Sequence, residues 1–170
     1  LNVRTHIAGG IYAGCALFFI SMNGNFNLEP LTAVETSCTV ALSCFGALSP
    51  DIDIHTSKLG SSVKPLSALI NALFGHRTIC HSPIVWLIVS GSLYSLYPAA
   101  FIYILAFIAG VLSHLFLDML NKAGIPIFWP LKKRFRLAGI KTGSFLESCI
   151  FYLLCGLIVF SVAKPFTELL

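Results

Sequence analysis

Histidine and carboxylate at short spacing are what a metal site is made of, and this chain gathers them into three polar islands. These are Pro50-Asp51-Ile52-Asp53-Ile54-His55, His76-Arg77-Thr78-Ile79-Cys80-His81-Ser82 and Ser113-His114-Leu115-Phe116-Leu117-Asp118-Met119-Leu120-Asn121. Together they hold four of the five histidines and three of the seven acids. His114 and Asp118 stand at i and i+4, which puts both on one face of a helix, and Asn121 continues that face at i+7. Asp51 and Asp53 form a DxD after Pro50. In an extended backbone both carboxylates point to the same side, and such a pair repels unless a cation lies near it. His55, two residues on, is either a further ligand or an exposed loop histidine. His76 and His81 are five apart, a poor spacing for one helical face and a good one for a loop. Arg77 beside them offers a planar fork of donors for phosphate or carboxylate. Cys80 is either a soft ligand or a buried bystander, and Ser82 before Pro83 is placed to cap the helix that follows.

Two further residues belong with the islands. His6 follows Arg4-Thr5 at the start of the first apolar stretch. Glu147 opens the last one, next to a basic loop, as a bridging ligand, a general base or a helix-N-terminal acid favoured by the dipole. The chain has no Gly-rich phosphate loop, GxSxG elbow or HExxH pair.

The elements that must position these groups are apolar. The 170 residues are 56% hydrophobic and 11% charged, with mean hydropathy +0.86, whereas a soluble domain carries about 25% charge. The composition excludes a soluble globular protein and predicts one integral membrane domain spanning residues 1–170, with no long linker. The chain opens on Leu1 rather than Met, and the expectation is that a few residues are missing or processed. Cys15, Cys38, Cys44, Cys149 and Cys155 lie in apolar runs without a CxxC pair, as small hydrophobes rather than disulfide or zinc partners.

Five apolar stretches run from about Ile7 to Met22, Leu31 to Leu48, Pro83 to Tyr97, Ala99 to Leu120 and Phe145 to Ala163. Asn23-Gly24-Asn25, Ser49-Pro50, Pro98 and Lys164-Pro165 end them. Leu66 to Gly75 covers about half a span and reads as an interfacial or re-entrant helix. The predicted fold is therefore all-α: a polytopic membrane bundle of about five transmembrane helices plus a short interfacial helix. Threading it back and forth puts Arg4, Lys58, Lys64, Arg77, Lys122, Lys132, Lys133, Arg134, Arg136 and Lys141 on one side, and Lys164 alone among the basic residues on the other. The positive-inside rule makes the first side cytoplasmic, with the N-terminus in and the C-terminus out. His6, His55, His76, His81, His114, Asp51, Asp53, Asp118 and Glu147 all reach that side; Glu29, Glu35 and Glu168 lie toward the other. The stretch Trp129-Pro130-Leu131-Lys132-Lys133-Arg134-Phe135-Arg136 reads as an anchor to anionic lipid headgroups, with no nucleic acid required.

The order Pro-Asp-Ile-Asp at 50–53, His-Arg-x-x-x-His-Ser at 76–82 and His-x-x-x-Asp at 114–118, followed by Gly124-Ile125 and Trp129-Pro130, resembles the YdjM-like family of membrane-bound (LexA-regulated), metal-dependent hydrolases. Thr5-His6 and Gly9 fit as well, so the resemblance runs from Thr5 to Glu147. Thr78 and Cys80 stand where the family more often has glycine and threonine, which bears on fine geometry and not on the charged positions. The family is in turn distantly similar to the helical zinc-dependent phospholipase C and single-strand nuclease superfamily, a fold-level analogy.

The resemblance implies a bacterial inner-membrane hydrolase with two or three divalent ions, Zn²⁺ or alternatively Mn²⁺. Its metal ligands would be His6, Asp51, Asp53, His76, His81, His114 and Asp118. Glu147 would be ligand or general base, and Arg77 would hold substrate charge. Metal-activated water would cleave a phosphoester in a lipid or amphiphile. Transport or sensing of metal ions or protons, and a membrane protein whose metal only fixes the fold, are the rival readings. Transport distributes such groups through the membrane depth.

Overall fold

The computed structural model describes residues 1–24, 28–75, 78–131 and 133–167. Among these residues are six α-helices: α1 (Val3–Met22), α2 (Ala33–Leu48), α3 (Lys64–Phe74), α4 (Pro83–Leu96), α5 (Phe101–Leu120) and α6 (Phe145–Thr167). There is no β-strand among the described residues, only isolated bridges at Asn121–Ile140 and Ile125–Phe135. Local chemistry sets the helix ends. α1 stops where Gly24 takes a φ of +63°, a conformation glycine adopts without strain. α2 starts on a capping box, Thr32 Oγ1 accepting from the Glu35 amide while Glu35 accepts from the Thr32 amide. Pro83 opens α4 and Pro98 follows its end.

α2 packs between α1 and α5, α1 also touches α5, α6 lies on α1 and α4 lies on α5. Small residues set how closely α2 approaches its neighbours. A Cβ at Gly10 would lie 3.0 Å from the Ser43 carbonyl oxygen, one at Gly14 would lie 2.7 Å from Val40 Cα, and one at Gly110 would collide with the Ser43 carbonyl. Gly46 sits against the Phe107 carbonyl in the same way. Ser43 Oγ donates to the Gly10 carbonyl at 2.8 Å, so this polar group is paired inside the bundle.

Among the described residues, three helical stretches are long and apolar enough to cross a membrane: Val3–Met22, Pro98–Leu120 and Phe145–Lys164. α4 is apolar but only 14 residues long, and α2 has 16, both short of the roughly 20 that a span needs. Length and composition thus support three of the five expected crossings. α3 forms where the half-span was expected and leaves Leu66, Leu69 and Leu73 exposed along one face.

The segment after α5 folds back over its end. Leu137 and Ile140 amides donate to the carbonyls of Met119 and Leu120 at 2.8 and 3.0 Å, which satisfies acceptors that a helix terminus leaves open. Ile125, 1% exposed, inserts into a core with Ile108, Val111 and Leu115. The fold thereby brings together the starts of α1, α4 and α6 and the ends of α2 and α5.

Candidate metal centre

α5 presents His114 and Asp118 one turn apart, both buried. His6 enters from the first turns of α1. Its ring stacks on that of His114 at a centroid distance of 3.9 Å, and its Nε2 lies 3.4 Å from Asp118 Oδ1. His81, in the 3₁₀ turn Ile79–His81 before α4, places Nε2 3.6 Å from both Asp51 Oδ1 and Asp118 Oδ2. His114 Nε2 is 3.8 Å from Asp51 Oδ1 and 3.9 Å from Asp118 Oδ2. Among the described residues, two sets of donors lie close enough to share an ion: His6, His114 and Asp118, and Asp51, His81 and His114.

The protonation of His114 follows from its surroundings. Its Nδ1 is 2.7 Å from the Ala47 carbonyl oxygen. A carbonyl only accepts, so Nδ1 carries the proton and the neutral ring turns the Nε2 lone pair toward the carboxylates. That Nε2 is buried and has no hydrogen-bond partner among the described residues. An imidazole oriented through its other nitrogen by a backbone carbonyl is the usual second contact of a metal-binding histidine. The separations point the same way. Hydrogen bonding would draw nitrogen and oxygen to 2.7–3.2 Å. Two ligands on one tetrahedral zinc, each about 2.0–2.1 Å from it, stand roughly 3.3–3.4 Å apart. The observed 3.4–3.9 Å fits the second arrangement better, so the donor set suits a divalent ion.

Asp51 lies in the 3₁₀ turn after α2 and is the most open member, 27% exposed. Burial pushes its carboxyl up, but the neighbouring imidazoles of His81, His114 and His6 outweigh that and hold it at about 2. Asp51 is therefore a carboxylate at any physiological pH.

Other expected ligands fall elsewhere. Residues Ser49–Asp53 form a 3₁₀ turn and not an extended segment. At three residues per turn, positions two apart point in different directions, so the DxD does not act as a pair. Asp51 joins the cluster, whereas Asp53, buried, belongs to neither donor set; the Asp53 carbonyl accepts from Asn71 Nδ2 at 2.9 Å. His55 is exposed and in neither set. His76, Arg77, Lys132 and Glu168 lie outside the described residues.

Glu147 is also in neither set. One of its oxygens accepts from the Asn2 amide and from Thr5 Oγ1 at 3.2 Å. The other accepts from Asn2 Nδ2 at 3.1 Å and the Gly143 amide at 2.6 Å. Its own amide faces Ser144 Oγ at 3.4 Å. These are the partners of a helix-N-terminal acid that also ties α6 to the start of α1. Ser144-x-x-Glu147 is the sequence signal for that role. Cys80 is buried, with its thiol pushed up to about 12 by burial and then by the Asp53 charge, so it is an inert bystander. Ser82 does not cap α4; its hydroxyl donates to the Ile127 carbonyl at 3.1 Å. The Ala47 carbonyl is the functional group that residue types could not reveal, because any residue has one.

Comparison with known proteins agrees with this architecture. The model of a family described as "YdjM inner membrane protein" matches residues 1–168. The chain belongs to that family. Among relatives of this YdjM family member, the inner membrane protein YdjM of Escherichia coli (strain K12) is 35% identical over 124 residues. That alignment covers 69% of this chain and 62% of the Escherichia coli protein, so the chain matches somewhat under two thirds of that relative's length. The YdjM protein of Shigella flexneri matches over the same shares. YvsG of Bacillus subtilis (strain 168) is 32% identical over 148 residues, 86% of this chain and 85% of that protein. No solved structure matches the chain. Family membership places the His/Asp cluster in an inner membrane protein, with its apolar helices in contact with the bilayer.

Proposed function

We propose that this YdjM family member is a membrane-bound, metal-dependent hydrolase that cleaves a phosphoester in a lipid or amphiphile. One observation carries the reading: the buried His114 Nε2, held by Ala47 through the opposite nitrogen and without a hydrogen-bond partner among the described residues. His114 Nε2 would hold an ion either with Asp51 and His81 or with His6 and Asp118. It would serve one ion only, because its Nδ1 is committed to Ala47. The mix of imidazole and carboxylate favours Zn²⁺ and also accommodates Mn²⁺. A divalent ion there supplies Lewis acidity toward a phosphoryl oxygen and activates water near pH 7.

The chain's own residues do the positioning. Ala47 orients His114, the glycine contacts hold α2 against α5, and the burial of His6, His81, His114 and Asp118 keeps bulk water from the donors. Glu147 takes a positioning role at the α1–α6 junction. In the membrane, the short α2 and α4 complete five crossings beside the three long spans, and α3 lies in the interface on its Leu66, Leu69 and Leu73 face. The cytoplasmic side then carries the N-terminus and the cluster, with the C-terminus outside. The exposed Lys133, Arg134 and Arg136 face anionic headgroups there. Donors gathered at one end of the bundle, and not through its depth, favour hydrolysis over transport. The test is turnover of micellar phospholipids and model phosphoesters by purified protein with Zn²⁺ or Mn²⁺. Loaded, folded protein that turns over neither class would contradict the proposal.

A further inference from the structure

We infer that the polar cleft over Asp51 admits the substrate to the metal centre, and that Lys58 holds the phosphate group there; this rests on the hydrolase reading above. Four of the clustered donors are sealed: the side chains of His6, His81, His114 and Asp118 are 3%, 0%, 1% and 1% exposed, against 27% for Asp51. Among the described residues, then, the carboxylate of Asp51 is the open side of the cluster.

That open side faces a cleft. Asp51 lines a cavity of about 400 Å³ together with Val3, Leu48, Thr56, Ser57, Lys58 and Ser61. Lys58 is exposed and makes no ion pair among the described residues. The Lys58 ammonium and the Thr56 hydroxyl beside a divalent ion form an electropositive donor surface, which suits the acceptor oxygens of a phosphate or phosphate monoester. Val3 and Leu48, at the ends of α1 and α2, give the cleft an apolar wall for the carbon side of an ester.

The loop that carries Lys58 is fixed to Asp51 itself. Ser57 Oγ donates to the Asp51 carbonyl at 2.7 Å and accepts from the Gly60 amide at 2.9 Å. The amides of Ser57 and Ser61 donate to the carbonyls of Ile54 and Ser57, each at 3.0 Å. A Cβ at Gly60 would collide with the Ile54 carbonyl, so the turn requires glycine there. Lys58 is thus held in register with the one open ligand, and not carried on an untethered strand of chain.

The test is calorimetric titration of Zn²⁺-loaded protein with inorganic phosphate and, separately, with a short-chain phosphatidic acid in micelles. Wild type, K58Q and K58R are compared, with metal content measured on the same samples. K58Q is expected to keep its metal and bind about tenfold more weakly, with K58R restoring affinity and added salt narrowing the gap. The effect in the phosphatidic acid arm identifies a lipid phosphate as the ligand, and in the inorganic arm alone a soluble one. Equal affinity of wild type and K58Q in both arms, at equal metal content, overturns the role of Lys58 and leaves the metal centre standing. Wild type that takes up no metal removes both.

Discussion

His114 Nδ1 and the Ala47 carbonyl oxygen meet at 2.7 Å across the α2–α5 contact. This bond selects the tautomer of His114, so metal affinity depends on how two helices pack as well as on the ligands. Added Zn²⁺ should raise the thermal unfolding temperature of the wild type in detergent, because an ion that binds only the folded state stabilises it by about 2.7 kcal/mol at a hundredfold excess over Kd. H114A should show no such rise. An equal rise in H114A would place the ion elsewhere.

The same helix contact predicts the effect of glycine substitutions. Gly110 abuts the Ser43 carbonyl, whereas a Cβ at Gly91 meets nothing within 4 Å. G110V should cost roughly 3 kcal/mol or more through overpacking and should weaken zinc binding by displacing Ala47 from His114. G91A should be neutral or stabilising by up to about 1 kcal/mol from helix propensity. Unfolding in detergent, followed by zinc titration, checks both.

Glu147 separates a positioning role from a chemical one. E147A leaves the Gly143 and Asn2 amides and Thr5 without their acceptor, a loss of about 1–3 kcal/mol. Metal per folded molecule should be unchanged. Unchanged stability with abolished turnover would return Glu147 to the role of general base.

The sequence carried much of this site. His114 and Asp118 were legible because two ionisable groups shared one stripe of an apolar helix, and back-and-forth threading brought His6, Asp51 and His81 to the same end. Asp53 does not join Asp51 in a described donor set, because the residues after Pro50 coil into a 3₁₀ turn, which turns two positions of a DxD apart. Glu147 was legible as a ligand, a general base or a helix-N-terminal acid, and its bonds to the Asn2 and Gly143 amides are those of the last. α2 and α4 were legible as short helices with nearly these bounds, because Ser49-Pro50 and Pro98 mark where they end. The Ala47 carbonyl was beyond sequence reasoning, since its role comes only from the close approach that Gly46 and Gly110 permit.

Acid should release the metal. Each donor must be deprotonated to bind it, so affinity rises with pH and falls on acidification. Asp51, held at about 2, remains ionised through mildly acid pH. Dialysis over a pH series should find metal retained near neutrality and lost as the pH falls. D51N should bind more weakly throughout.

Elemental analysis of the purified, untagged protein tests the central claim most directly. One or two zinc or manganese ions per chain are expected in the wild type, with the amount falling sharply in H114A while that variant remains folded. Folded wild-type protein that carries no such metal, and takes up none from added Zn²⁺ or Mn²⁺, would contradict it.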